Sequence, residues 1–181
     1  MKIAGIGWGS LVWKPGELRC VGPWHEDGPA LPLEFARTSS DGRLTLVLCD
    51  GAAFVPSLWS QLDYLSPEEA RKALAAREGC DLAAIGLWSA ATPGRGVGAD
   101  LVNAWALANK LDAVVWTALP PKFHDVRGLA PETAEAAVEY LKKLDPRARE
   151  LAREYVERAP AQIRTQFREA FEIHLGWSAT A

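Results

Sequence analysis

Apolar positions fall in short runs over the first half of the chain and recur at helical spacing over the last third. Residues 2–6 form an apolar run that reads as a first strand and gives way to glycines. Residues 33–37 and 44–50 read as two strands flanking Ser39-Ser40-Asp41-Gly42, and Asp-Gly between apolar runs is a strong hairpin signal. Residues 53–62 are a third apolar run, expected as another strand. Pro15-Gly16 and the stretch 23–32 read as loops from their Pro and Gly content.

Ser66-Pro67-Glu68-Glu69 is a helix start. Ser66 can cap, Pro67 suits the first helical position, and Glu69 completes a capping box. The helix is expected to run to Arg77 or Glu78, with Gly79 as its stop. Residues 83–88 read as a strand, 92–98 as a Gly-rich loop, 100–111 as a helix capped by Asp100, and 113–117 as a strand. Strand, helix and strand in this order suggest a βαβ unit and a sheet with both pairing directions. From Pro131 the pattern is helical: Ala134, Val138, Leu141 and Leu144 recur, Asp145-Pro146 breaks and restarts the helix, and Leu151, Tyr155 and Ala159 continue it to Pro160. Ile163, Phe167, Ala170 and His174 mark a last helix.

A chain of 181 residues with 49% hydrophobic and 24% charged residues suits one globular domain spanning 1–181. The net charge of −3 and pI near 5.7 argue against a nucleic-acid partner. No run of 18 apolar residues exists, so no membrane partner is expected. Cys20, Cys49 and Cys80 are widely spaced with no CxxC, which argues against a zinc ribbon and for thiols in a reducing cytoplasm. The basic surplus between Lys142 and Arg168 reads as a solvated face.

Two features could carry chemistry. Gly7-Trp8-Gly9-Ser10-Leu11 follows the first strand, and its glycines let backbone N–H groups approach a ligand. A plain tight turn is the alternative; the spacing is neither G-x-G-x-x-G nor the G-x-S-x-G of a hydrolase elbow. Glu78 is the second. Ala70, Leu74 and Glu78 are four apart, so Glu78 falls on the inward stripe of its helix. The dipole at a helix C-terminus disfavours a negative charge, so a structural glutamate gains more at the other end. An inward carboxylate there suits a group that exchanges protons; a last-turn residue facing solvent is the alternative.

Together these segments resemble the γ-glutamyl cyclotransferase family over about residues 1–80. Members carry a strand-end loop Tyr-Gly-Ser-x-Leu that holds the γ-glutamyl group. Trp8-Gly9-Ser10-Leu11 looks like that loop, with Trp for Tyr and no spacer before Leu, and Gly-Ser-Leu also occurs in the branch acting on glutathione. Arg77-Glu78-Gly79 looks like the family's helix-terminal Glu-Gly, and residues 37–45 look like its second and third strands. A tyrosine that follows this glutamate in the family has no counterpart in Cys80-Asp81-Leu82.

The resemblance implies an α/β (α+β) fold with a mixed, barrel-like sheet, a core over 1–120 and a helical C-terminal extension over 131–175. It implies a lyase that closes a γ-glutamyl compound into 5-oxoproline without cofactor or metal, since the nucleophile is already tethered. Glu78 would be the general acid/base; Gly7, Trp8, Gly9, Ser10 and Leu11 would bind the small-molecule γ-glutamyl substrate. A non-catalytic domain of the same fold, binding a ligand or a protein, is the alternative. The leaving group and the oligomeric state are left open. Weaker candidates are His124-Asp125 beside Arg127 as an acid/base pair, His25-Glu26 near Cys20, and Arg95 as a clamp for a substrate carboxylate.

Overall fold

The computed structural model describes residues 1–95 and 97–180, without the side chains of Pro93 and Arg95. The elements run β1 (Ile3–Gly7), α1 (Ser10–Trp13), β2 (Cys20–His25), β3 (Ala30–Thr38), β4 (Leu44–Leu48), β5 (Phe54–Pro56), β6 (Leu58–Leu62), α2 (Pro67–Glu78), β7 (Ile85–Ser89), β8 (Thr92–Arg95), α3 (Ala99–Ala108), β9 (Ala113–Thr117), β10 (Lys122–Phe123), β11 (Val126–Arg127), α4 (Ala134–Lys142), α5 (Pro146–Arg158) and α6 (Gln166–Leu175), with a 3-10 turn at Leu82–Ala84. This is a mixed α/β chain. A six-stranded sheet has the order β2-β6-β1-β9-β7-β8, and a five-stranded sheet the order β11-β10-β3-β4 with β5 also on β3. Both sheets are mixed, because β1 runs parallel to β9 and β10 parallel to β3. Among the described residues neither sheet closes, so two open sheets stand where a barrel-like one was expected. β7 and β9, the strands expected on either side of α3, pair antiparallel, and β8 intervenes before α3, so they do not form the expected βαβ unit.

The chain divides into two compact units, Met1–Leu31 with Pro56–Leu119, and Pro32–Val55 with Pro120 onward. The first unit contains the six-stranded sheet and α1 to α3. Its core gathers Ile3, Leu11, Leu18, Leu62, Leu74, Ile85 and Val115. Helix α2 buries Ala70 and Leu74, four residues apart on one face. Burying a leucine such as Leu74 contributes roughly 1.5–3 kcal/mol. Both ends of α2 are closed by local chemistry. Ser66 accepts from the Glu69 N–H at 3.3 Å, and the Leu65 N–H donates to the Glu69 carboxylate at 3.3 Å. Gly79 takes the left-handed conformation with φ 61°. It donates to the Ala76 carbonyl while Cys80 donates to Ala75, a Schellman closure.

The second unit contains β3, β4 and α4 to α6. Phe35 packs edge-on against Phe171 and Tyr155, with ring centroids 5.4 and 6.2 Å away. Two buried charged residues organise its helices. Glu34 lies at the start of α6: one carboxylate oxygen accepts from the Thr165 hydroxyl at 2.6 Å and the Phe35 N–H at 2.8 Å, the other from the Phe167 N–H at 3.2 Å. Burial pushes the Glu34 carboxyl above its ordinary value, and these three donors pull it part of the way back. Arg168, fully buried, donates to the carbonyls of Val156, Ala159, Pro160 and Ile163 at 2.7–3.1 Å. It thereby caps the buried carbonyl end of α5 and the turn that follows it.

Several local expectations are revised. The strand expected over 53–62 is broken at Ser57, because Pro56 has no N–H and both the N–H and hydroxyl of Ser57 turn to the Pro29 carbonyl. Pro23 lies inside β2, not in a loop; β2 is an edge strand, where a missing donor is tolerated, and its register is irregular there. Residues 92–95 form β8. Gly98, with φ 86°, caps α3 in place of Asp100.

Candidate active site at the end of helix α2

Strand β1 ends at Gly7, and α1 begins three residues later with Gly9 at its cap. Glycine offers no side chain to satisfy the first N–H groups of the helix, so those of Ser10 and Leu11 have no partner within it. The glycine at position 7 serves packing. A Cβ there would come within 2.8 Å of the Trp24 ring, so only glycine lets that indole lie against the strand end. Trp8 and Leu11 are buried, Leu11 within the apolar core, so Leu11 can offer a ligand its backbone. Ser10 is half-buried and its hydroxyl is directed at the end of α2.

Arg77 connects the loop to the helix. Its Nη1 donates to Glu78 Oε1 at 2.5 Å and its Nη2 to Ser10 Oγ at 3.2 Å. The same guanidinium donates twice to the Lys14 carbonyl that follows α1, from Nη2 at 2.7 Å and from Nε at 3.2 Å. The Arg77 and Glu78 side chains are 11% and 17% exposed, so the charge pair is largely withdrawn from water while one edge stays accessible. Adjacent residues on a helix ordinarily point apart. Here the two neighbours pair directly, next to the Gly79 cap that ends the helix. Glu78 and Ser10, the two residues singled out from separate segments of sequence, are thus held on one guanidinium. The arrangement presents a carboxylate able to move a proton beside a hydroxyl and a glycine-capped turn able to hold oxygen anions.

The part played by Arg77 was not read from the sequence. The signal available was an arginine beside an inward glutamate at a helix end, and a partner 67 residues away is invisible to any local pattern. The other candidates lie elsewhere. His124 and Asp125 form the turn between β10 and β11, with φ of 48° and 60°, and Lys122 pairs with Asp125 at 3.3 Å. His25 stacks on Trp59 with centroids 4.6 Å apart. Burial pushes the Cys20 thiol up, with a hydrogen bond to Ser60 opposing it. The Arg95 side chain lies outside the described residues. A separate cleft of about 440 Å³ is lined by Trp88, Ser89, Thr92, Asp100 and Asn103 and holds none of the site residues. No described helix is long and apolar enough to cross a membrane.

No family model and no curated protein sequence matches this chain. Among solved structures it is similar to a glutathione-specific γ-glutamyl cyclotransferase from yeast, at 14% identity and a TM-score of 0.50, over 97% of this chain and 98% of that one. The chain has the cyclotransferase fold. The likeness extends well beyond residues 1–80, where the sequence motifs lie, and takes in the helical C-terminal third.

Proposed function

We propose that this protein is a γ-glutamyl cyclotransferase-type enzyme that releases 5-oxoproline from a γ-glutamyl compound. The observation that carries the reading is the joint hold of Arg77 on Glu78 and Ser10 at a glycine-capped turn. In this reading the glutamyl group lies along residues 7–11, its oxygens on the first-turn N–H groups that have no partner within the helix. The substrate's α-amine attacks its own γ-carbonyl carbon, and the C–N bond to the leaving amine breaks as the five-membered lactam closes. Glu78 takes a proton from the attacking amine and returns one to the leaving nitrogen. Tethering supplies much of the acceleration, provided the loop holds a near-attack geometry.

Glutathione is the first substrate to test, since the similar yeast structure is specific to it; its cleavage would release cysteinylglycine. A cytoplasmic setting agrees with Cys20, Cys49 and Cys80 remaining thiols. The deciding experiment incubates the protein with glutathione, γ-glutamyl dipeptides and γ-glutamylamines and detects 5-oxoproline by mass spectrometry. Release from at least one compound, without added nucleotide or metal, is expected. Silence across the panel overturns the reading and leaves a non-catalytic binding domain.

A further inference from the structure

We infer that Arg77 is a positioning residue that decides which atoms of Glu78 and Ser10 face the substrate. The inference rests on the function proposed above. The guanidinium is itself anchored, because two of its donors converge on the Lys14 carbonyl at 2.7 and 3.2 Å. From that fixed point Nη1 engages only Oε1 of Glu78. Oε2 accepts no hydrogen bond among the described residues and is the oxygen left to receive the proton. Ser10 is constrained in the complementary sense. A hydroxyl both donates and accepts, but Ser10 Oγ already accepts from Nη2. Its own hydrogen therefore points away from Arg77 and is available to a substrate oxygen. One arginine thus divides the site into a proton acceptor, Glu78 Oε2, and a hydrogen-bond donor, Ser10 Oγ, matching an amine that loses a proton and an oxygen that gains negative charge.

The test compares wild type, Arg77→Met, Arg77→Lys and Ser10→Ala by steady-state release of 5-oxoproline from the best panel substrate, with thermal unfolding measured on each. Misplacing a reacting group by about 1 Å can cost on the order of 10²-fold. Arg77→Met is expected to lower kcat by roughly that factor with a smaller change in KM, and millimolar guanidinium to restore part of it. Arg77→Lys keeps a charge beside Glu78 but lacks the planar fork that reaches three acceptors, so it should fall between Arg77→Met and wild type. Ser10→Ala should slow the wild type and change little in the Arg77→Met background, since residues in one network are not additive. A merely structural Arg77 would lower the unfolding temperature, leave kcat per folded molecule unchanged and ignore guanidinium. That result, or both Arg77 variants turning over within twofold of wild type, overturns the inference. If Arg77→Met does not fold, Arg77→Lys carries the comparison. An inactive wild type sinks the functional reading and this inference together, whereas an active wild type with unimpaired Arg77 variants sinks this inference alone.

Discussion

Glu34 and Glu78 are both largely buried carboxylates at a helix end, one at the start of α6 and the other at the close of α2. Glu34 is at the end where the helix dipole favours a negative charge, and both its oxygens are taken up by hydroxyl and amide donors. Glu78 is at the opposite end, opposed by the dipole, with one oxygen held by a guanidinium and the other accepting no hydrogen bond among the described residues. Their arginine neighbours repeat the contrast. Arg168 spends its terminal donors on backbone carbonyls that would otherwise be orphaned, whereas Arg77 divides its own among a backbone carbonyl, a hydroxyl and a carboxylate from two elements. Burial alone therefore does not distinguish the two. What distinguishes them is that both oxygens of Glu34 accept hydrogen bonds, whereas among the described residues only one oxygen of Glu78 does.

Substitutions that exchange these roles put the contrast at risk. Glu78→Gln keeps volume and hydrogen bonding but cannot carry a proton, so turnover should fall about 10²–10⁴-fold with little change in unfolding temperature. Near wild-type release of 5-oxoproline by this variant would remove Glu78 from the mechanism. Arg168→Met should do the reverse. It strands buried carbonyls at the end of α5, costing roughly 3–5 kcal/mol in urea unfolding, while turnover per folded molecule stays unchanged. Glu34→Gln sets an amide NH₂ against a backbone donor and should cost about 1–2 kcal/mol. It also tests the pH dependence. Because the folded carboxyl is raised, its contribution is fully present below the ordinary value of 4.5 and is lost as pH rises through the raised value. Wild-type stability relative to Glu34→Gln should therefore decline with rising pH across that window, and a difference that grows with pH would contradict the assignment. Glu69→Gln, at the other end of the helix that carries Glu78, should cost only about 0.5 kcal/mol and leave turnover untouched, since its hydrogen bond to Leu65 is long.

The sequence was most legible where structure is local. The α2 boundaries follow from Ser66, Pro67 and Gly79 because caps act within a few residues of themselves. The break before α5 follows in the same way from Asp145, whose carboxylate accepts from the Arg147 and Ala148 N–H groups at 3.0 Å. Glu78 and the Gly7 to Leu11 segment could be nominated from strand, glycine and helix-end signals. What joins them could not, because the bonds that bring Arg77 to Ser10 and Lys14 depend on sheet pairing across distant strands. The same cause hid the split at Ser57, which answers to Pro29, and the strand character of residues around Pro23, which depends on an edge position in a sheet.

The hydrogen bonds from Arg77 to Lys14 and Ser10 span 63 and 67 residues of chain. Closing a loop of that size costs entropy that only completed tertiary packing can offset. The helix bearing Glu78 can form early on its own caps, but the site cannot. During refolding, helical signal and the closing of the Arg77 contacts are thus separate clocks, and the second can start only when the segment after the first strand and the end of α2 have found each other.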